Sequence, residues 1–167
     1  MTHTFRLVAA LPNHYASILA LNEQAVPHVN SIGITQLSDL ANQSFYFKVA
    51  LLENQVVGFL LCLSTSANYD SLNYQWFSQR YTEFIYVDRI VVSPDHAGLG
   101  IGKQLYENLQ ADAVHHAPII ACEVNLQPAN PDSLAFHQKQ GFCEVGQQET
   151  EGGQKVVCLM TKSIGTW

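Results

Sequence analysis

Apolar positions recur along the chain with two spacings, which predict an alternation of strands and helices. Runs rich in β-branched and aromatic residues predict strands at Phe5–Val8, Phe45–Leu52, Val56–Leu63, Phe84–Val92, Ile119–Leu126, Phe142–Glu149 and Lys155–Thr161. Apolar residues three or four positions apart predict helices at about Pro12–Ala25, Gln36–Asn42, Gly102–His115 and Asp132–Lys139. This order predicts an α+β fold with three layers, α/β/α, around a mixed, mostly antiparallel sheet.

The same pattern predicts the inner faces of two helices and the nature of one long connection. Ile18, Leu19 and Leu21 are expected to face inward from the first helix, and Leu105, Leu109 and Ala113 from the third. Glu53-Asn54-Gln55 predicts a hairpin turn. The connection Ser64–Tyr81 is polar and aromatic, and its length indicates either a functional segment or a small helix of its own.

Composition limits the class of protein. The chain has 167 residues, of which 47% are hydrophobic and 13% charged, which predicts one globular domain over residues 1–167. No apolar run is long enough to span a membrane and no signal peptide is evident, so we expect a cytoplasmic protein that does not bind membranes. The net charge of −6, without a cluster of lysine or arginine, argues against nucleic-acid binding.

Cysteine and histidine give no sign of a metal. The four cysteines lie in separate apolar runs (Cys62, Cys122, Cys143 and Cys158), which predicts buried, reduced thiols. The seven histidines show no metal-ligand spacing, so no metal is expected.

A glycine-rich loop between a strand and a helix carries the strongest chemical signal. The strand ends in Ile90, Val91 and Val92, and Gly98, Gly100 and Gly102 follow directly before the next predicted helix. Such a loop presents backbone N–H groups at a helix N-terminus, where an anion binds, and alternate glycines let the backbone approach a diphosphate. Lys103 stands where a dinucleotide fingerprint has its last glycine, and Gln104 stands where a P-loop has a hydroxyl.

The loop resembles the coenzyme A loop of the GNAT acetyltransferases, [Q/R]-x-x-G-x-[G/A]. Ala97-Gly98-Leu99-Gly100-Ile101-Gly102 matches that motif except at its first position. A second segment, Asn130–Phe142, is similar to the family's other signature, in which Asn precedes a short helix bearing Tyr or His and Gly-Phe opens the next strand. The two motifs occur in the family's order, and the resemblance covers about residues 45–160 well.

The resemblance implies transfer of an acetyl group from acetyl-CoA (coenzyme A) to an amine. It assigns the pantetheine arm to Ile90, Val91 and Val92 and the diphosphate to the N–H groups from Gly98 to Lys103. Ala97 offers only its backbone N–H, because it lacks the Arg or Gln side chain common there. The other cofactor positions it implies are Asn125, Asn130, Ser133, Phe136 and His137.

Proton transfer needs a base for the attacking ammonium and an acid for the leaving thiolate. The motif places His137 at the acid position, where many relatives carry Tyr; the alternative is that His137 only packs beside the cofactor. Glu123 is the leading base because it is the one charged residue in an apolar strand, and the alternative is an ion pair with Arg89. Asp88 and Tyr86 share a face of the preceding strand and are the runners-up, and water is a further route.

The acceptor site is expected outside both motifs. Acidic and aromatic side chains suit a cationic amine, which makes Asn22, Glu23, Tyr69, Asp70, Tyr74 and Trp76 candidates. The aromatic residues of the long connection could equally form a small satellite core. The expected acceptor is a small-molecule or peptide amine, and the chain is expected to be a monomer or homodimer. Two alternatives are a CoA-binding protein without transferase activity and a transferase of longer acyl groups.

Overall fold

The computed structural model describes residues 4–165, and within them it has seven strands and five α-helices. The strands are β1 (Arg6–Ala9), β2 (Ser44–Leu52), β3 (Gln55–Leu63), β4 (Ile85–Val92), β5 (Ile119–Gln127), β6 (Cys143–Thr150) and β7 (Lys155–Ser163). The helices are α1 (Tyr15–Ala25), α2 (Ile34–Gln43), α3 (Leu72–Ser78), α4 (Ile101–Ala113) and α5 (Pro131–Lys139). All predicted elements are therefore confirmed, and α3 is the small helix foreseen in the long connection.

The chain divides into two compact units, each built from two stretches of sequence. The first unit runs through Leu63 and adds Asp88–Ala111, and the second comprises Ser64–Val87 and the chain from Asp112 onward. β4 contributes to both, because the division falls between Val87 and Asp88. The expectation of one domain over the whole chain stays a prediction.

The first unit is built on the strand order β1-β2-β3-β4. β1 pairs antiparallel with β2, and β2 with β3. The turn between β2 and β3 has two residues, Glu53 and Asn54, with φ of 51° and 65°. Positive φ at both positions matches the right-handed twist of the flanking strands, which is why a tight hairpin forms here. Leu105 and Leu109 of α4 are fully buried, as predicted, and so is Ala113, which ends this helix and falls in the second unit.

The inner face of α1 differs from the prediction at two positions. Ile18 and Leu21 are buried, but Leu19 is only half-buried and Asn22 is 1% exposed. Residues 18 and 22 lie one helical turn apart, so they share a face, and residue 19 lies at its margin. The apolar stripe therefore includes one amide side chain, whose partners are described below.

The second unit has the strand order β4-β5-β7-β6. β4 and β5 are parallel and pair at Ile85↔Ile120 and Tyr86↔Ala121, whereas β5/β7 and β6/β7 are antiparallel. The sheet pairing is thus mixed, and the predicted α+β class is confirmed.

The cysteines in the structure are all free thiols, as expected. Cys62, Cys122 and Cys158 are buried, but Cys143 is exposed, so its predicted burial is wrong. Cys143 opens β6, the last strand of the sheet order, where side chains on an edge are poorly covered. Among residues 4–165, no helix has the length and apolar character that crossing a membrane requires.

Gly58 has no side chain, so β4 and the first residue of α4 can lie close to β3 at this position. A Cβ at Gly58 would lie 3.0 Å from Ile101 Cγ2 and 3.1 Å from the Val91 carbonyl oxygen. We therefore predict that Gly58→Ser lowers the free energy of unfolding by about 2 kcal/mol, because the added atoms overpack a buried site. Urea unfolding measures this change.

Gly33 provides the matched control, since no atom lies within 4 Å of its would-be Cβ and its backbone is extended. Gly33→Ser should change stability by less than about 0.5 kcal/mol. Equal stability of the two variants would contradict the packing argument.

Candidate active site

The glycine loop in the first unit is an exposed, preformed turn. Gly98 and Gly100 have φ of +83° and +80°, a region that side chains with a Cβ rarely adopt. No atom lies within 4 Å of a would-be Cβ at either glycine, so the surface over the loop is open. α4 begins at Ile101, and the first N–H groups of a helix have no acceptor within it. The loop therefore fits a diphosphate.

The residues beside the loop add little side-chain charge. The Ala97 N–H donates to the Pro94 carbonyl at 3.4 Å, a long hydrogen bond, and the Ala97 side chain is exposed. Lys103 lies in the first turn of α4, 63% exposed, with its ammonium 3.9 Å from Glu107 Oε1. An exposed pair at this distance contributes little, so Lys103 can turn toward a phosphate. His96 Nδ1 lies 3.1 Å from Ser93 Oγ.

Tyr86 and Glu123 form the central polar pair of the second unit. The Tyr86 hydroxyl lies 2.7 Å from Glu123 Oε1 and 2.8 Å from Oε2, and it donates to this carboxylate. Tyr86 pairs with Ala121 in the parallel ladder, and Glu123 is two residues further along β5, on the same face. Tyr86 is 1% exposed and Glu123 is half-buried. Glu123 can thus exchange a proton with a bound molecule, while Tyr86 holds its carboxylate.

Tyr86 lies in an aromatic cluster that includes two of the predicted acceptor residues. The Tyr74 ring centroid is 5.4 Å from that of Tyr86, and the Tyr69 centroid is 6.5 Å from it. Tyr74 is 3% exposed and its hydroxyl donates to the Ser64 carbonyl at 2.6 Å. Burial raises the pKa of Tyr74, so its hydroxyl stays protonated. Tyr69 is half-buried and Asp70 is exposed.

The Trp76 side chain contacts two other residues of the second unit. The Arg80 guanidinium lies 3.9 Å from the centre of the Trp76 ring, a cation–π contact. Trp76 also lies against Gly146 of β6, where a Cβ would lie 2.6 Å from Trp76 Cζ2. Arg80 therefore already makes with Trp76 the cation–π contact that was expected from the acceptor amine.

His137 is buried in the second unit, and its proton position follows from its partner. His137 Nδ1 lies 2.8 Å from the Ser133 carbonyl oxygen, which can only accept, so Nδ1 carries a proton. Burial lowers the pKa of His137, against a smaller opposing effect of this hydrogen bond. The ring makes edge-to-face contacts with Phe136 and Phe142. In the neutral form Nε2 carries no proton, so donation to a thiolate requires an imidazolium that burial disfavours.

The remaining predicted cofactor residues of the second unit surround the start of α5. Asn125 is buried in β5, and its carbonyl accepts from the Asn130 N–H at 3.2 Å. Asn130 occupies the N-cap position of α5, but its side chain makes no capping hydrogen bond. Ser133 and Phe136 are half-buried on α5. In the first unit, Ile90 and Val92 are half-buried and alternate with buried Val91 along β4.

Asp88 and Asn22, predicted for different roles, meet at Arg89 in the first unit. Arg89 Nε donates to Asp88 Oδ2 at 2.7 Å, with both side chains 2% exposed. Arg89 Nη1 donates to Asn22 Oδ1 at 2.9 Å, and Nη2 to Asn30 Oδ1 at 2.8 Å. Glu23, the other candidate on α1, is exposed and accepts from Ser31 Oγ. Sequence reasoning missed Asn30; the signal that could have found it is Arg89, the one cation in the apolar strand β4, because a buried guanidinium needs polar partners.

The sequence model of the Acetyltransferase (GNAT) family matches residues 16–142. That range is most of the chain, so this protein belongs to the GNAT acetyltransferases. No curated protein matches the chain by sequence.

Solved structures with the same fold include several acetyltransferases. The ribosomal-protein-S18-alanine N-acetyltransferase from Escherichia coli is 15% identical, with a TM-score of 0.73, covering 98% of this chain and 96% of that one. An Arabidopsis thaliana protein in complex with the bisubstrate analogue CoA-Ac-MVNAL is 17% identical, with a TM-score of 0.73 and coverages of 95% and 98%. A putative acetyltransferase from Salmonella typhimurium with its cofactor acetyl-CoA is 14% identical, with a TM-score of 0.73 and coverages of 98% and 96%.

The lowered pKa of His137 predicts a pH-dependent contribution to stability. The unfolded chain binds a proton at His137 at higher pH than the folded chain does, so stability is lost as pH falls below about 6.5. We expect His137→Phe, which cannot bind that proton, to lose less stability between pH 7.5 and pH 5.5 than the parent. Urea unfolding at both pH values measures the difference, and equal losses would contradict it.

Proposed function

We propose that this protein is an N-acetyltransferase that moves the acetyl group of acetyl-CoA to a primary amine of a small molecule or a peptide. Membership of the GNAT family supports the reaction class. The ligands named for two structural relatives, acetyl-CoA and a CoA–peptide bisubstrate analogue, support the cofactor and make a peptide amine one candidate acceptor.

The observation that carries the proposal is the conformation of the glycine loop. Two glycines at positive φ stand directly before α4, in a loop that is exposed and open above both. Backbone N–H groups from Gly98 to Lys103 hold the diphosphate, aided by the positive end of the helix dipole. Since Ala97 supplies no side-chain donor, affinity rests on these amides and on Lys103. The half-buried residues Ile90 and Val92 lie on the strand leading into the loop, beside the pantetheine arm.

The base in this proposal is Glu123. Acetyl-CoA supplies a thioester, which an uncharged amine attacks directly, so the chain must take a proton from the ammonium. Glu123 is half-buried in β5, and the Tyr86 hydroxyl fixes its carboxylate at 2.7 and 2.8 Å. Asp88, the runner-up, is engaged by Arg89 and its side chain is 2% exposed, which makes it a poorer base.

His137 has a packing role in this proposal. The Nδ1–H donates to the Ser133 carbonyl, and burial favours the neutral ring. These two observations support the packing alternative over proton donation to the leaving thiolate.

A panel of amines tests the proposal. The protein is mixed with acetyl-CoA and, separately, with tyramine, spermidine and a peptide beginning Met-Val-Asn-Ala-Leu, and thiol release is followed. Release that depends on an amine supports the proposal. CoA binding without release for any amine favours the CoA-binding alternative, and faster release from propionyl- or butyryl-CoA favours the longer acyl group.

Gly100→Glu should abolish CoA binding, measured by calorimetry. The substitution places both a side chain and a negative charge where the diphosphate is held. Gly152→Glu is the matched control, because Gly152 also has positive φ (+67°) and no atom within 4 Å of a would-be Cβ. It introduces the same strain and charge in the turn before β7 and should bind CoA like the parent. Equal CoA affinity of a folded Gly100→Glu variant and the parent would refute the loop assignment.

Glu123→Gln should lower kcat by about 10²-fold, because the amide cannot accept the proton. Acetyl-CoA affinity should stay within about twofold, since the substitution keeps the side chain's shape. Steady-state rates with the best amine of the panel, across pH 6–10, measure the loss. Unchanged kcat over that range would instead favour water or another group as the base.

A further inference from the structure

The first unit has a pocket between one face of α1 and the turn that joins β2 to β3, here called the hairpin pocket. Its volume is about 600 Å³, a size that is usual for small-molecule sites. Every residue that lines it belongs to the first unit and precedes β4 in the chain. The hairpin pocket therefore shares no lining residue with the glycine loop.

Two local patterns bring the lining side chains together. His14, Ser17 and Leu21 are three or four positions apart, so they share one face of α1 and the residue before it. Arg6 lies directly opposite Leu51 in the β1–β2 ladder, so both side chains project from the same side of the sheet. The helix face and this part of the sheet form the two walls of the pocket.

The hairpin pocket has an apolar base and a polar rim. Leu21 and Leu51 are each 7% exposed and form the base. Ser17, Gln24 and Gln55 are exposed, and their side chains make no hydrogen bond to another described residue. These rim groups are thus available to a bound molecule.

The charge of the lining is positive, although the chain has a net charge of −6. Arg6 carries the one permanent charge of the described lining, which has no carboxylate. Arg6 Nη2 donates to Asn54 Oδ1 at 3.1 Å, and the rest of the guanidinium has no acceptor among the described residues. His14 Nδ1 accepts from the Leu11 N–H at 3.0 Å, so the neutral ring carries its proton on Nε2, as a further donor.

We propose that the hairpin pocket is a second ligand site, which binds a small aliphatic carboxylate. The Arg6 guanidinium meets the carboxylate, because its planar N–H groups match two carboxylate oxygens. The aliphatic chain covers Leu21 and Leu51, which removes apolar surface from water. A carboxylate is favoured over a phosphate, because one guanidinium balances a single negative charge and a phosphate monoester carries nearly two.

Three probes with the same tail test the head group: hexanoate, hexanamide and hexyl phosphate, each titrated into the protein without acetyl-CoA. Hexanoate should bind with a Kd of about 1 mM. Hexanamide should bind at least about 10-fold more weakly, because it lacks the charge. Hexyl phosphate should bind no tighter than hexanoate. Equal binding of hexanoate and hexanamide, or tighter binding of hexyl phosphate, would overturn the choice of ligand.

Backbone amide shifts in nuclear magnetic resonance spectra locate the bound hexanoate, which should shift residues of α1 and of the β2–β3 turn, including Ser17 and Asn54. Arg6→Gln should weaken hexanoate binding about 10-fold, the lower range for a hydrogen bond to a charged group. Ser17→Trp should abolish binding, because the indole fills the pocket from an exposed position.

Two controls separate this site from a general charge effect and from the cofactor loop. Lys139→Gln removes the same charge from an exposed position on α5 and should bind hexanoate like the parent. Gly100→Glu alters the cofactor loop and should also bind hexanoate like the parent, whatever becomes of the transferase function. Unchanged affinity in Arg6→Gln, or lost affinity in Lys139→Gln or Gly100→Glu, would overturn the proposed site.

Discussion

The cost of burying polar groups in β4 is the constraint on which the rest of the structure depends. This strand carries Tyr86, Asp88 and Arg89 within four residues, and the side chains of all three are nearly inaccessible to solvent. A buried hydroxyl or charge without a partner costs several kcal/mol, so each must find one nearby. Tyr86 finds Glu123 in the second unit, and Arg89 finds Asp88, Asn22 and Asn30 in the first.

The same constraint fixes the side chain of Glu123, the base in the proposed function. The donor to its carboxylate is the Tyr86 hydroxyl, on a side chain that solvent does not reach. Glu123 itself is half-buried, so the hydrogen bond orients the carboxylate while part of the side chain stays accessible. The glycine loop follows β4 in the chain. The surface over this loop is open because Gly98 and Gly100 have positive φ and no neighbouring atom within 4 Å of a would-be Cβ.

Much of the fold could be predicted from sequence because its signals are local. Apolar periodicity located the seven strands and four of the five helices, whereas α3 was indicated only by the length of the connection that holds it. The glycine spacing located the loop before α4. Partner choice between distant residues could not be predicted. Asn22 looked like a polar residue at the end of a helix, yet one helical turn from Ile18 it faces inward and binds Arg89. The proton position on His137 depends on the Ser133 carbonyl, a contact that residue identity alone does not encode.

The contact between Trp76 and Gly146 ties together two positions that are distant in sequence. A single methyl group at residue 146 would meet the indole at 2.6 Å, nearer than atoms in contact can lie. The size of the side chain at residue 146 is therefore limited by the size of the side chain at residue 76. Chains that diverge from this one can enlarge residue 146 only after, or together with, a smaller side chain at residue 76. The edge strand β6 and the helix α3 are thus constrained to evolve as a pair.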